Sequence, residues 1–163
     1  MKIIKLSDRL NVIADLIEKD ASVADIGTNH GYLPVYLAQT GLAKKIIAAD
    51  ISPASLEAAR SSAKIYGVTD SINFLVADGL NNISPADIDS IVISGMGGET
   101  ILGILKNAPW TKNGIKLILQ PQSKTNLLCK FLYDNAYKIK IIKSITEKEK
   151  HYTVINCVGG ELV

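Results

Sequence analysis

The chain has 163 residues, 47% of them hydrophobic and 21% charged, which is enough for one domain with a sizeable core and is not the composition of a disordered tail. No run of about 18 apolar residues is present, so no membrane-spanning helix is expected; Met1-Lys2-Ile3-Ile4-Lys5-Leu6-Ser7 loses its apolar character too early for a secretory leader, and a cytoplasmic protein is expected. The net charge of +2 conceals an asymmetry, with 8 Lys+Arg against 12 Asp+Glu in residues 1–105 and 10 Lys against 4 Asp+Glu in residues 106–163.

The late lysines, Lys112, Lys116, Lys124, Lys130, Lys138, Lys140, Lys143, Lys148 and Lys150 among them, suit either a face for a polyanion or an ordinary solvated surface, and charge alone leaves both open. Cys129 and Cys157 stand far apart with no C-x-x-C, and neither His30 nor His151 completes a zinc spacing with them. Packed free thiols are expected, and no metal.

Leu6, Leu10, Ile13 and Leu16/Ile17 recur at helical spacing, predicting an amphipathic helix over 7–19 capped by Ser7. Residues 23–26 read as a strand buried on both faces, and 32–39 as a helix that carries Pro34 in its first turn and stops at Gly41. A second strand over 45–51 leads to Ser52-Pro53, a cap and first-turn proline for a helix reaching Tyr66, with Gly67 past its end. Strands follow at 72–77, 89–94 and 116–119, with helices at 99–106 and 124–135. Residues 137–146 and 151–158, with no helical stretch between them, read as an antiparallel hairpin. Five strand–helix alternations and this hairpin predict an α/β, Rossmann-like doubly wound sheet of seven mostly parallel strands with an N-terminal helix, in one domain over 1–163.

In such a sheet ligands bind at the carboxyl ends of the strands. Here those ends read Asp25-Ile26-Gly27, Asp50-Ile51-Ser52, Asp78-Gly79-Leu80, Ser94-Gly95-Met96-Gly97-Gly98 and Gln120-Pro121-Gln122. Asp50 follows Gly31 by 19 residues, the place where an acid takes the hydroxyls of an adenosine ribose. The first turn is Asp25-x-Gly27-x-Asn29-x-Gly31 and not G-x-G-x-x-G. An acid ahead of the glycines repels a pyrophosphate but suits the sulfonium and amino group of S-adenosylmethionine. An NAD-dependent oxidoreductase is disfavoured on both grounds.

This loop, the acids at 50 and 78 and the closing hairpin resemble a class I S-adenosylmethionine-dependent methyltransferase. Ser7-Asp8-Arg9-Leu10, Asp25-Ile26-Gly27-Thr28-Asn29-His30-Gly31-Tyr32-Leu33-Pro34, Ser94-Gly95-Met96-Gly97-Gly98, Gln120-Pro121-Gln122 and Glu147…His151-Tyr152 together resemble, over essentially the whole chain, the bacterial tRNA (adenine(22)-N1)-methyltransferase (TrmK-like) family. The family usually has Asp where this chain has Asn29 and Asn where it has Gln122; Asn is the non-glycine residue most at ease with positive φ. The family also typically continues into a C-terminal helical domain, which is expected to be absent from residues 1–163.

The resemblance implies transfer of a methyl group to N1 of adenine 22 in the D-arm of tRNA. Arg9, Asp25, Gly27, Asn29, His30, Gly31, Tyr32, Leu33, Asp50, Ile51, Ser52, Asp78, Gly79, Leu80, Ser94, Gly95 and Met96 are expected at the cofactor. Asp25 would lie near its amino group, Asp50 on its ribose and Ile51 against its adenine. Gly97, Gly98, Gln120, Pro121, Gln122, Lys124 and Tyr152 are expected at the substrate, with Gln120 offering its amide to the base. Adenine N1 already carries a lone pair, so no strong base is demanded; Asn29, His30, Met96 and Gln120 are the catalytic candidates, while Glu99 reads as a helix-terminal acid. A methyltransferase with another substrate, and a non-catalytic module that binds S-adenosylmethionine or tRNA, remain alternatives. No oligomeric state is fixed by the sequence; a monomer is the expectation.

Overall fold

Apolar runs without alternation require burial on both faces, and the parallel strands of this chain receive it from helices on either side. The computed structural model describes residues 2–160; the expected domain limits at Met1 and Val163 lie outside the described residues. The strands are β1 (Ala21–Ile26), β2 (Ala43–Asp50), β3 (Asn73–Val76), β4 (Ser90–Met96), β5 (Lys116–Pro121), β6 (Tyr137–Glu147) and β7 (Lys150–Gly159). The helices are α1 (Asp8–Asp15), α2 (Tyr32–Thr40), α3 (Pro53–Ile65), α4 (Gly98–Lys106) and α5 (Thr125–Asp134). They form a seven-stranded sheet in the order β3-β2-β1-β4-β5-β7-β6. It is parallel through β5, with β7 antiparallel to β5 and β6 antiparallel to β7. The Rossmann-like methyltransferase fold with a closing hairpin is what the sequence predicts.

Side-chain parity divides the core. Val23, Val92, Ile118 and Val154 point to the face covered by Ile13 of α1, Leu33 and Leu37 of α2 and Ala63 of α3. Ala24, Ile26, Ile91, Ile93, Leu117, Leu119 and Ile155 point to the other, against Ile101 and Leu105 of α4 and Leu128 and Leu132 of α5. Each buried Val, Leu or Ile side chain among these contributes roughly 1.5–3 kcal/mol of transfer free energy.

Some elements differ from their predicted extents for identifiable reasons. Helix α1 is capped by the Ser7 hydroxyl, which accepts from the Leu10 N–H, but it ends at Asp15; Leu16 and Ile17 close it with tight bonds to the carbonyls of Ile13 and Ala14, which keeps Ile17 buried ahead of β1. Residues 77–89, for which no helix is predicted, join β3 to β4 through turns and so interrupt the alternation; this stretch carries Gly79, Pro85 and scattered polar residues and has no periodic apolar face. Strand β4 continues past Ser94 to Met96 through a bulge at Gly95, whose φ of 76° suits glycine.

Strand β6 is the outermost strand on its side among the described residues. It too is bulged, between Ile139 and Ile141, and it exposes Lys138, Lys140, Ile142 and Lys143. The β6–β7 turn sets both Lys148 and Glu149 at positive φ, 50° and 66°, the geometry of a two-residue hairpin turn that Asn-Gly would adopt at lower cost.

Helix α2 begins at Gly31 with φ 71°. A Cβ there would lie 2.8 Å from Cβ and 3.0 Å from Cα of Ala59 on α3, so the glycine permits both the turn and the close approach of two helices. Gly31→Ala is expected to lower unfolding free energy by about 2 kcal/mol or more, from backbone strain and overpacking together, as measured by denaturant titration.

Candidate active site

The strand order reverses between β1 and β4, and a cavity of about 460 Å³ opens at their carboxyl ends. The end of β1 supplies Asp25, the β1–α2 loop Gly27, Thr28, Asn29 and His30, and α2 adds Tyr32 and Leu33. Ser94 and Gly95 come from β4 and Gln122 from the segment after β5. Lys5, Ser7, Arg9 and Leu10 close it from the α1 side, and Glu147 from the end of β6.

The loop is stitched to β2. The N–H groups of Gly27 and Thr28 both donate to the Ala49 carbonyl at 2.9 Å. Asp50 Oδ2 accepts from the Asn29 N–H and Oδ1 from the Ser52 N–H, each at 3.0 Å, which fixes the carboxylate while leaving further lone pairs to accept from a ligand. Asn29 has φ 56°, so the residue type most at ease with positive φ does adopt the left-handed conformation here. Beside Asp50 the apolar Ile51 is 64% exposed, a surface suited to a flat ring.

Asp25 is buried, and that burial pushes its carboxyl up to about 7. The Thr28 hydroxyl donates to Oδ2 at 2.8 Å and opposes the shift; Asp50 reinforces it and Arg9 opposes it. A buried carboxyl poised near neutrality favours a cationic ligand, which would supply the missing countercharge. The arrangement therefore fits a ligand that is cationic at one end and offers hydroxyls and a flat ring towards Asp50 and Ile51.

The remaining predicted residues are distributed around this cavity. Gly31 packs on Ala59, and Met96 lies against Gly27, where a Cβ would collide with its terminal methyl. Asp78, Gly79 and Leu80 line a separate concavity of about 230 Å³ with Thr100 and Ile104 of α4. Gly97 and Gly98 open α4 close against Ser123 and Lys124, with the Gly98 N–H donating to the Ser123 carbonyl at 2.7 Å. His30 stacks on Tyr32, centroids 5.3 Å apart. Glu99 lies exposed in the first turn of α4. A third concavity, about 400 Å³, is lined by Gln122, Lys150, His151 and Tyr152, so Gln122 borders it and the main cavity alike.

Gln120 corrects an expectation. It is fully buried, its Oε1 accepting from Arg9 and from the Gly95 N–H and its Nε2 donating to the Pro121 carbonyl; the amide is engaged internally and does not face a base. Pro121 is buried as well. The basic surface also divides, since Lys116 pairs with Glu18 and Lys130 with Asp134, whereas Lys138, Lys140, Lys143, Lys148 and Lys150 are exposed on the hairpin. Lys5, Thr28 and Glu147 were not among the predicted site residues. Thr28 was legible as the hydroxyl three residues after a buried acid; Glu147 stood in the block shared with the family but without a role, and nothing local marked Lys5.

Residues 6–155 match the family model described as a methyltransferase domain. The chain is 33% identical over 162 residues to the tRNA (adenine(22)-N1)-methyltransferase of Bacillus subtilis (strain 168), covering 99% of this chain and 68% of that protein. The crystal structure of the B. subtilis m1A22 tRNA methyltransferase TrmK superposes with a TM-score of 0.88 at 32% identity, over 98% of this chain and 68% of the other. A TrmK of M. capricolum in complex with the cofactor product S-adenosylhomocysteine gives 0.84 at 32% identity, over 97% and 72%.

The raised Asp25 pKa carries a sign that can be tested. The folded carboxyl holds its proton up to about pH 7 whereas the unfolded one loses it near pH 4, so this group's stabilising contribution is complete at low pH and is lost as pH rises to about 7. Asp25→Asn, which keeps an acceptor for Thr28, should remove that loss. Its stability relative to wild type should rise across this window by on the order of 3 kcal/mol, read from denaturant titrations of the ligand-free protein.

Proposed function

Because this chain belongs to the tRNA (adenine(22)-N1)-methyltransferase family, we propose that it methylates N1 of adenine 22 in the D-arm of tRNA, with S-adenosylmethionine as the methyl donor. The observation that carries this reading beyond kinship is Gln122, the shared wall between the cavity at Asp25 and the concavity at Tyr152. A donor in the first and a base in the second would meet there.

S-adenosylmethionine supplies an electrophilic methyl group on a sulfonium and leaves as S-adenosylhomocysteine. Asp25 faces its amino group, and Asp50 accepts from the ribose hydroxyls. Ile51 packs against its adenine, while Asp78, Gly79 and Leu80 border the separate concavity beside α4. Gly95 and Met96 border the sulfonium. The N1 lone pair of the acceptor attacks the methyl carbon as the carbon–sulfur bond breaks, so the protein need only align the two reactants and no residue need withdraw a proton first. The alkylated ring is cationic, and carbonyl and carboxylate oxygens around Asp25 and Glu147 favour that charge.

N1 lies on the Watson–Crick edge, so the base has to leave its stack before it can react. Tyr152 offers it a stacking surface and Gln122 a side-chain amide. Lys150 lines the concavity at Tyr152, and exposed Lys124 and the exposed lysines of the hairpin add positive charge for phosphates. No helix of the described residues is long and apolar enough to cross a membrane, and a cytoplasmic location suits the substrate. The chain spans 68% of the B. subtilis relative; residues 1–163 act as the catalytic domain.

Incubation with S-adenosylmethionine and unmodified tRNA, followed by nucleoside mass spectrometry, should yield 1-methyladenosine at one D-arm position. The product should vanish when that adenine is replaced by guanine. Methylation elsewhere, or none, would refute the assignment. Asp50→Ala should weaken S-adenosylmethionine binding at least tenfold by calorimetry, a loss of about 1.4 kcal/mol; wild-type affinity would remove Asp50 from the ribose.

A further inference from the structure

Gln120 sits at the carboxyl end of β5, fully buried, and lines neither the main cavity nor the concavity at Tyr152. Its Oε1 receives two donors, Nη1 of Arg9 and the backbone N–H of Gly95, each at 3.0 Å. Two donors meeting one atom fix that atom as the oxygen, and the bond from Nε2 to the Pro121 carbonyl, also 3.0 Å, holds the amide plane.

Both donors border the main cavity, Gly95 from β4 and Arg9 from the α1 side. Gly95 is the bulged residue of β4 that lines the main cavity. Arg9 extends from α1, and its guanidinium lies over the ring of Tyr152, 5.6 Å from the centroid, in the wall of the third concavity. Arg9 is itself held, since its backbone N–H donates to Glu147 Oε1 at 3.0 Å. One buried oxygen therefore connects the strand that borders the donor to the arginine that backs the acceptor ring.

We propose that Gln120 is a positioning residue for methyl transfer, which sets the spacing between the donor wall at Gly95 and the acceptor wall at Tyr152 by holding Gly95 and Arg9 on one oxygen. The inference rests on the methyltransferase reading above. A packing role alone would ask only for a side chain of this volume, and Met would satisfy it. A positioning role requires the shared acceptor, because reaction rates fall steeply when bound partners are displaced by a fraction of an ångström.

Gln120→Met should lower kcat on tRNA at least about tenfold, while S-adenosylmethionine affinity and KM for tRNA each change by less than about threefold. Hydrogen exchange at the Gly95 amide should accelerate about tenfold, because its acceptor is gone. Arg9→Met, at a half-buried position, should also lower kcat, and the double variant should lose less than the product of the two single losses, since both act through one oxygen. A Gln120→Met enzyme with kcat within about twofold of wild type, or one whose loss lies entirely in cofactor affinity, would overturn the proposal, as would fully multiplicative losses. If Gln120→Met does not fold, Arg9→Met decides, assayed at saturating S-adenosylmethionine because Arg9 also lines the cofactor cavity: kcat within about twofold of wild type overturns the proposal, and a kcat loss that saturation does not restore supports it. A wild-type protein that methylates no tRNA would refute the function instead, and Gly95 exchange then still decides the link: unchanged exchange overturns it, faster exchange supports it.

Discussion

Two neighbouring parallel strands whose crossovers leave in opposite directions cannot have the gap between their carboxyl ends filled by their own loops. β1 passes into α2 on one face of the sheet and β4 into α4 on the other, and the main cavity is that gap. The rest of the site follows from it. Asp25, whose parity turns it toward the α1–α3 face, reaches the end of β1 where the packing parts, too deep for full hydration and too close to the opening to be replaced by an aliphatic residue. Its Thr28 hydrogen bond, the nearby Arg9 and its raised pKa are the responses of a carboxyl caught at that boundary.

The elements around the gap were legible because each carries a local physical signal. Continuous apolar strands need helices on both faces, Ser52-Pro53 starts a helix wherever it lands, and Gly41 ends one. Strand ends were less legible. Hydropathy marks where a strand leaves the core, whereas a ladder runs as far as backbone pairing continues, so β4 goes on through Gly95 to Met96 and β5 includes the polar Gln120.

At the site, residues that act through short-range backbone geometry could be read in advance: Asp25 and Asn29 in the loop, Asp50 opposite. Those that act through tertiary contacts could not. Glu147 reaches the backbone of Arg9 across 138 residues of sequence and Gln120 reaches the Arg9 side chain across 111, and no spacing rule connects such positions. A polar residue at a strand end suggests a ligand contact, yet the same position in a two-sided sheet can be sealed by its neighbours, and Gln120 is sealed while Gln122, two residues on, is open.

Strand β6 has a second significance. An outermost strand offers unpaired N–H and C=O groups to any other strand that meets it, and exposed Ile141 and Ile142 would add an apolar inducement. Lys138, Lys140 and Lys143 along it, and the bulge at Lys140 that interrupts its register, oppose such edge-to-edge growth by charge and by shape. Charge and shape on this edge thus both work against its pairing with the edge of a second sheet.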